Sequence, residues 1–192
     1  THGFAIDPST TGVAAFPGVG PSGARIRARL EAIERWALPE WWEGRLPVRA
    51  RGPGAWEITT KLASVALLAR QLGGQHAYGF AAGPDWDSAH MRAEIELFRN
   101  IRVLTTERVN GGTLQLTERR LLYFSSLEGR KHFDERIRAS EATKPFPQLA
   151  YLPKMIVDEE IRGPWTRYAR VWRCLFPMSK GRLEGCEDYF YF

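Results

Sequence analysis

The stretch that decides the fold class is Ser64-Val-Ala-Leu-Leu-Ala-Arg-Gln-Leu-Gly-Gly-Gln-His-Ala-Tyr-Gly-Phe-Ala-Ala82. Two apolar runs flank Gly73-Gly74, and a pair of apolar runs around a Gly-Gly turn is typical of a β-hairpin. A helix stays open for the first run, because alanine and leucine favour helices. Asp85 or Asp87 then suits the start of a helix to about Leu104, with apolar positions at 89, 93, 95 and 97. A hairpin followed by a helix indicates a mixed α+β fold, with a sheet and packed helices.

A second helix is predicted nearer the N-terminus, preceded by a strand at Gly12–Phe16. Ser22 is a suitable N-cap for this helix. Its apolar face is marked by residues spaced 4, 3 and 4 apart: Ile26, Leu30, Ile33 and Ala37. Pro39 predicts that the helix ends or kinks near Leu38, because proline lacks the amide hydrogen and crowds the preceding turn.

The remaining elements follow from local composition. We expect strands at 56–60 and 168–176, with Pro177 ending the second. Helical patterning over 117–139 is broken near Ser125-Ser126, and Pro/Gly-rich stretches predict loops at 47–55 and 143–153. Residues 178–192 form an aromatic C-terminal tail.

Composition narrows the class of protein. The chain has 192 residues, 44% of them hydrophobic and 26% charged, with a net charge of +5. These values are typical of one globular domain over residues 1–192. No apolar run is long enough for a membrane span. Two cysteines are too few for a disulfide framework, so we expect a cytoplasmic protein with packed thiols. Its basic charge has no nucleic-acid motif beside it, which makes nucleic acid an improbable partner.

Two carboxylates on the first helix could carry chemistry. Arg27, Glu31 and Glu34 fall within about 60° of one another on a helix. Two carboxylates one turn apart can hold a divalent cation, and a cation can hold phosphates. Spacing alone favours the alternative, a solvated face of Glu–Arg pairs that stabilise the helix by about 0.2–0.5 kcal/mol each.

The wider stretch around this helix resembles the YcaO-like family. Ala28-Arg-Leu-Glu31-Ala-Ile-Glu34-Arg35 is similar to the family's A-L-x-E-x-x-E-R helix, and Trp41-Trp42 and Arg45-Leu-Pro47 follow it as in the family. Looser similarities continue in the family's order over most of the chain: Gly12-Val-Ala, Glu57-Ile-Thr-Thr60, Tyr78–Asp85, Ala89–Glu96, Glu118–Tyr123 and Val171–Pro177. The resemblance implies a YcaO-like half-domain, similar to the second half of such a protein.

YcaO-like enzymes use ATP and magnesium to activate a backbone amide in ribosomally made peptides. By position, the resemblance implies that Glu31 and Glu34 coordinate magnesium and that Arg35 lies beside the nucleotide. Arg92 is an expected phosphate contact. Phosphorylation would turn the amide oxygen into a leaving group, and the metal would neutralise the developing charge.

The chain also departs from the family pattern. Val19 and Gly23 stand where the family has an Asn and a Glu. The upstream half of the family, with its second nucleotide motif, and the Pro-rich C-terminus have no counterpart in this sequence. Two functions therefore stay open. The chain is part of an ATP- and magnesium-dependent peptide-modifying enzyme that needs a missing half or a partner, or it is a degenerate, non-catalytic subunit that binds a peptide or a partner protein. A homo-oligomer is compatible with either.

Overall fold

The computed structural model describes residues 11–17, 21–106, 115–142, 153–177 and 187–190. The described part combines helices with two antiparallel sheets, which confirms the α+β class. The chain divides into two compact units. The first comprises residues 1–36 and 151–181, and the second comprises residues 37–150 and 182–192. The expected single domain over 1–192 stays a prediction. In the described part, no helix is both long and apolar enough to cross a membrane.

The first unit is built on a three-stranded sheet. Strands β1 (Thr11–Pro17), β7 (Ala169–Leu175) and β6 (Val157–Ile161) pair antiparallel in the order β1-β7-β6. The predicted strands at 12–16 and 168–176 are thereby confirmed. Strand β6 was not predicted, because Asp and Glu are depleted in strands and its sequence is Val-Asp-Glu-Glu-Ile.

Helix α1 (Pro21–Trp42) begins in the first unit and confirms the predicted helix. Of the predicted apolar positions, Ile33 and Ala37 are buried, whereas Ile26 is 56% exposed. A second row of this helix, Ala24, Ala28 and Ala32, is also fully buried. Strand β1 passes so close that a Cβ on Gly12 would lie 1.9 Å from the carbonyl oxygen of Ala28. Only small residues permit that approach, which is why alanines rather than isoleucine occupy the contact.

The predicted end of α1 near Leu38 is wrong. The helix continues through Pro39 to Trp42, and the Glu43 amide donates to the Pro39 carbonyl at 2.9 Å. Trp41 is fully buried, with ring centroids 5.8 Å from Phe133 and 5.6 Å from Phe190. This aromatic packing holds the last turn in place and outweighs the hydrogen bond that proline removes.

The second unit carries a four-stranded antiparallel sheet in the order β2-β3-β4-β5. The predicted hairpin is confirmed as β4 (Ser64–Leu72) and β5 (Gln75–Gly83), and the predicted strand near 56–60 is β3 (Ala55–Thr59). The loop predicted at 47–55 is wrong, because Val48–Gly52 forms edge strand β2. Pro53 and Gly54 form the turn to β3, with Gly54 at φ +68°.

Besides the end of α1, the described residues of the second unit form helices α2 (Trp86–Thr106), α3 (Leu116–Ser125) and α4 (Leu127–Ala142). Asp85 caps α2 as predicted, accepting a hydrogen bond from the Ser88 amide at 2.8 Å. The predicted break near Ser125-Ser126 is confirmed as the α3–α4 junction. Of the predicted loop at 143–153 only Pro153 is described, and of the tail only residues 187–190, in which Tyr189 and Phe190 are buried.

Candidate functional site

The predicted magnesium carboxylate Glu31 projects from α1 toward strand β1. Its Oε2 accepts a hydrogen bond from the Val13 backbone amide at 3.2 Å. Its Oε1 lies 2.9 Å from Nη2 of Arg35, one helical turn away. Both side chains are about a third exposed, at 31% for Glu31 and 35% for Arg35. The structure therefore brings Glu31 and Arg35 together, and each carboxylate oxygen has a partner within the protein.

The Val13 amide points away from the sheet because β1 is an edge strand. Among the described residues, β1 pairs only with β7, with Gly12 opposite Cys174 and Val13 opposite Arg173. An outward-facing amide on an edge strand offers a hydrogen-bond donor to any passing chain. The Glu31 carboxylate covers that donor.

Glu34, the second predicted ligand, lies one turn further along the same flank of α1 and is half-buried. Mg²⁺ demands nearly octahedral coordination by oxygen. To join such a site, Glu31 would have to exchange both Arg35 and the Val13 amide for the metal. Across the described ranges, no group of three or more His, Cys, Asp or Glu side chains could hold a metal ion. Both Glu31 carboxylate oxygens already have protein partners, and the magnesium site stays a prediction.

Arg92, the expected phosphate contact, belongs to the second unit, on α2. Its Nη1 donates to the Ala82 carbonyl at 2.8 Å. Asn100, also on α2, donates through Nδ2 to the Tyr78 carbonyl at 2.8 Å. Tyr78 and Ala82 are an even number of residues apart on β5, so their carbonyls point to the same side of the strand. Among the described residues, β5 is an edge strand of its sheet. Arg92 and Asn100 thus cover outward-facing carbonyls of that edge.

Asp158 on β6 forms a polar cluster that the sequence did not predict. Its Oδ1 accepts from Arg25 Nε at 3.0 Å and from the Trp172 indole at 2.6 Å, while Oδ2 accepts from Arg25 Nη2. The Arg25 guanidinium also lies over the Trp172 ring, 5.5 Å from its centroid. Hydrogen bonds from Arg25 hold the pKa of Asp158 below its usual value. Arg25 and Asp158 are 133 residues apart, so no local signal could have paired them.

Cys174 lies directly opposite Asp158 in the β6–β7 register. The thiol is fully buried, and burial is the main cause that raises its pKa to about 12, with the Asp158 charge adding to it. A thiol with that pKa stays protonated at neutral pH and is a poor nucleophile and metal ligand. This agrees with the prediction of a packed thiol; Cys186 lies outside the described residues.

Comparisons with known protein families, with curated proteins and with solved structures find no match.

Proposed function

We propose that the chain is a cytoplasmic, non-catalytic YcaO-like subunit that binds a peptide or a partner protein during the modification of ribosomally made peptides. Support for the proposed family relationship is the resemblance of the sequence motifs. The observation that carries the non-catalytic part is the hydrogen bonding of Glu31, whose Oε1 and Oε2 face Arg35 and the Val13 amide.

The energetic argument favours a structural Glu31. A half-exposed ion pair contributes up to about 1 kcal/mol, and a backbone hydrogen bond contributes about 0.5–1.5 kcal/mol. A metal ion could take Glu31 as a ligand only if its binding free energy exceeded the loss of both interactions. Arg92 supports the same view, because its guanidinium is hydrogen-bonded to the edge of β5 rather than presented as an isolated cation.

Binding of a peptide or partner is supported by an exposed aromatic surface in the first unit. Trp165 and Tyr168, at and just after the 3-10 helix Pro164–Arg167, are 39% and 66% exposed. The guanidinium of Arg167 lies 4.8 Å from the centroid of the Tyr168 ring. Trp, Tyr and Arg are the residue types that dominate binding energy at protein interfaces.

Thermal unfolding of the full chain with and without ATP and Mg²⁺ tests the non-catalytic part. A ligand that binds only the native state raises Tm, so we expect no rise for the unmodified chain. We expect Glu31→Ala to lower Tm by about 2–4 °C per kcal/mol lost, with or without ATP. A nucleotide-dependent rise in Tm that Glu31→Gln abolishes would overturn the proposal.

Selection of peptides on the immobilised chain tests the binding part. Peptides recovered from a displayed random library should lose affinity for Trp165→Ala and Tyr168→Ala. Leu127→Ala, which removes an apolar side chain that is 65% exposed in the second unit, is the matched control and should bind them normally. Equal binding by all variants would reject this surface.

The enzymatic function implied by the resemblance is the second candidate. The observation that favours it is that Glu31 and Glu34 are both only half-buried and lie one turn apart on the same helix flank. It requires Arg35 to leave Glu31 when nucleotide and metal arrive, together with a partner that supplies the rest of the site. The Tm measurement on the unmodified chain and on Glu34→Gln separates the two candidates. The enzymatic candidate predicts a rise in Tm with ATP and Mg²⁺ that Glu34→Gln abolishes, whereas a structural Glu31 predicts no rise for either chain.

A further inference from the structure

Helix α2 has two apolar faces, and only one of them packs on its own sheet. Ala89, Ala93 and Leu97 are buried against β4 and β5. Gly79 and Gly83 of β5 permit a close approach, since a Cβ on Gly79 would lie 2.3 Å from the Ala93 carbonyl oxygen. This face accounts for the attachment of α2 to the sheet.

The opposite face of α2 carries three exposed apolar side chains, which we call the α2 row. Met91, Ile95 and Phe98 are 64%, 54% and 66% exposed. Their spacing of 4 and 3 places them within about 60° of one another and on the far side of the helix from Ala89, Ala93 and Leu97. Of the apolar positions predicted for this helix, Ile95 is thus the exposed one, while Ala89, Ala93 and Leu97 are buried. Clustered exposed apolar side chains mark interaction surfaces, whereas single ones are ordinary.

Charges of opposite sign continue the α2 row at its two ends. Asp87 stands four residues before Met91, and Arg102 stands four residues after Phe98; both are exposed. The two charges and the two outer apolar residues are placed symmetrically about a midpoint between Glu94 and Ile95. A second α2 laid antiparallel about this midpoint puts Met91 against Phe98 of the other copy and Asp87 against Arg102 of the other copy. The same surface is thus complementary to itself.

We propose that the α2 row is the interface of a twofold-symmetric, antiparallel homodimer. A twofold axis requires a self-complementary patch, which the row supplies through both its apolar pairs and its terminal charges. Helices that pack along such a row cross at about 20°. The proposal is independent of the proposed function, because a catalytic and a non-catalytic chain could dimerise equally.

The size of the row sets the expected strength of the dimer. Taking about 200 Å² for a large side chain, the three exposed groups offer roughly 350 Å² per copy. Two copies then bury about 700 Å² of apolar surface, and flanking residues bring the total toward 1,200 Å², the lower end for specific interfaces. We therefore expect a reversible, concentration-dependent dimer with a Kd in the micromolar range.

Sedimentation equilibrium of the full chain under reducing conditions, over roughly 1–300 μM, tests the interface. The unmodified chain should pass from monomer to dimer within that range. Ile95→Glu should remain monomeric, since it places a charge at the centre of the row. Val103→Glu is the matched control, because Val103 is exposed on the same helix but lies about 100° from the centre of the row. It should dimerise as the unmodified chain does.

Charge reversal tests the antiparallel register. Asp87→Arg and Arg102→Asp should each weaken the dimer at least tenfold, because each places like charges together, and the double reversal should restore it. Far-UV circular dichroism of every variant verifies that it is folded. A chain that stays monomeric throughout the range, an Ile95→Glu variant that dimerises normally, or a double reversal that fails to restore the dimer would each overturn the proposal.

Discussion

Replacement of Phe190 by alanine should strongly destabilise the second unit, although the residue lies near the C-terminus. Its side chain is fully buried. Within the described residues, six aromatic rings have centroids 4.9–6.1 Å from that of Phe190, including Phe124 at 4.9 Å and Phe80 at 6.1 Å. Besides these two, they are Trp41, Trp42, Tyr78 and Phe133. A fully buried side chain surrounded by these rings is part of the core.

The magnitude follows from the burial. Truncation of a buried phenylalanine to alanine costs about 3–5 kcal/mol, because the apolar transfer energy is lost and a cavity remains. Folded proteins have about 5–15 kcal/mol of stability in total, so the variant is expected to lose a large fraction of it. With an m-value of about 2 kcal/mol/M, the urea midpoint should fall by roughly 2 M.

Urea unfolding followed by far-UV circular dichroism measures this loss. Phe190→Leu, which keeps most of the volume, should cost far less than Phe190→Ala. Leu127→Ala removes an apolar side chain that is 65% exposed and should change the free energy of unfolding by no more than about 0.5 kcal/mol. A loss below about 1 kcal/mol for Phe190→Ala would refute the reasoning, because it would mean that the tail does not fill the ring cluster.

Three further predictions follow from the first unit. Gly12→Ala should unfold or severely destabilise it, as seen in a thermal melt, because the added Cβ would lie 1.9 Å from the Ala28 carbonyl oxygen; a Tm within a degree of the unmodified protein would contradict that packing. The lowered native pKa of Asp158 stabilises the fold above the unfolded value of about 3.9 and is lost as the pH falls below it. Asp158→Asn should therefore reduce the fall in the free energy of unfolding at acidic pH. An unchanged fall would contradict this. In a Cys186→Ser background, Cys174 should react with a thiol reagent at pH 8 only in denaturant; rapid labelling of the native protein would disprove its burial.

Local signals in the sequence predicted most of the elements. The Gly73-Gly74 hairpin, the Asp85 cap of α2 and the break between α3 and α4 each depend on a few adjacent residues whose backbone preferences are strong. Periodicity also predicted the existence of α1. It placed Ile33 and Ala37 correctly on a buried face but did not predict the alanine row that meets Gly12 of β1, because that contact joins residues distant along the chain.

The missed features share a dependence on tertiary partners. Strand β6 has a sequence unfavourable to strands, and it pairs with β7 where Asp158 meets Arg25 and Glu160 meets Arg170. Continuation of α1 through Pro39 depends on the burial of Trp41 among distant rings. Neither arrangement has a signature within the segment concerned, so tertiary packing overrides propensity at both places.

The predicted site residues show how a helix-flank pattern can have two physical causes. Glu31 and Arg92 each lie on a helix that follows a strand in the chain, and each hydrogen-bonds to the outer edge of a strand, at the Val13 amide and the Ala82 carbonyl. A helix packed on a sheet places its flanking residues over the edge of the nearest strand, where unpaired backbone groups need polar partners. A carboxylate suits an amide donor and a guanidinium suits a carbonyl acceptor, as observed. Charged residues on the flank of such a helix therefore indicate an edge to be covered as readily as a ligand to be bound, and only the partners of the side-chain atoms distinguish the two.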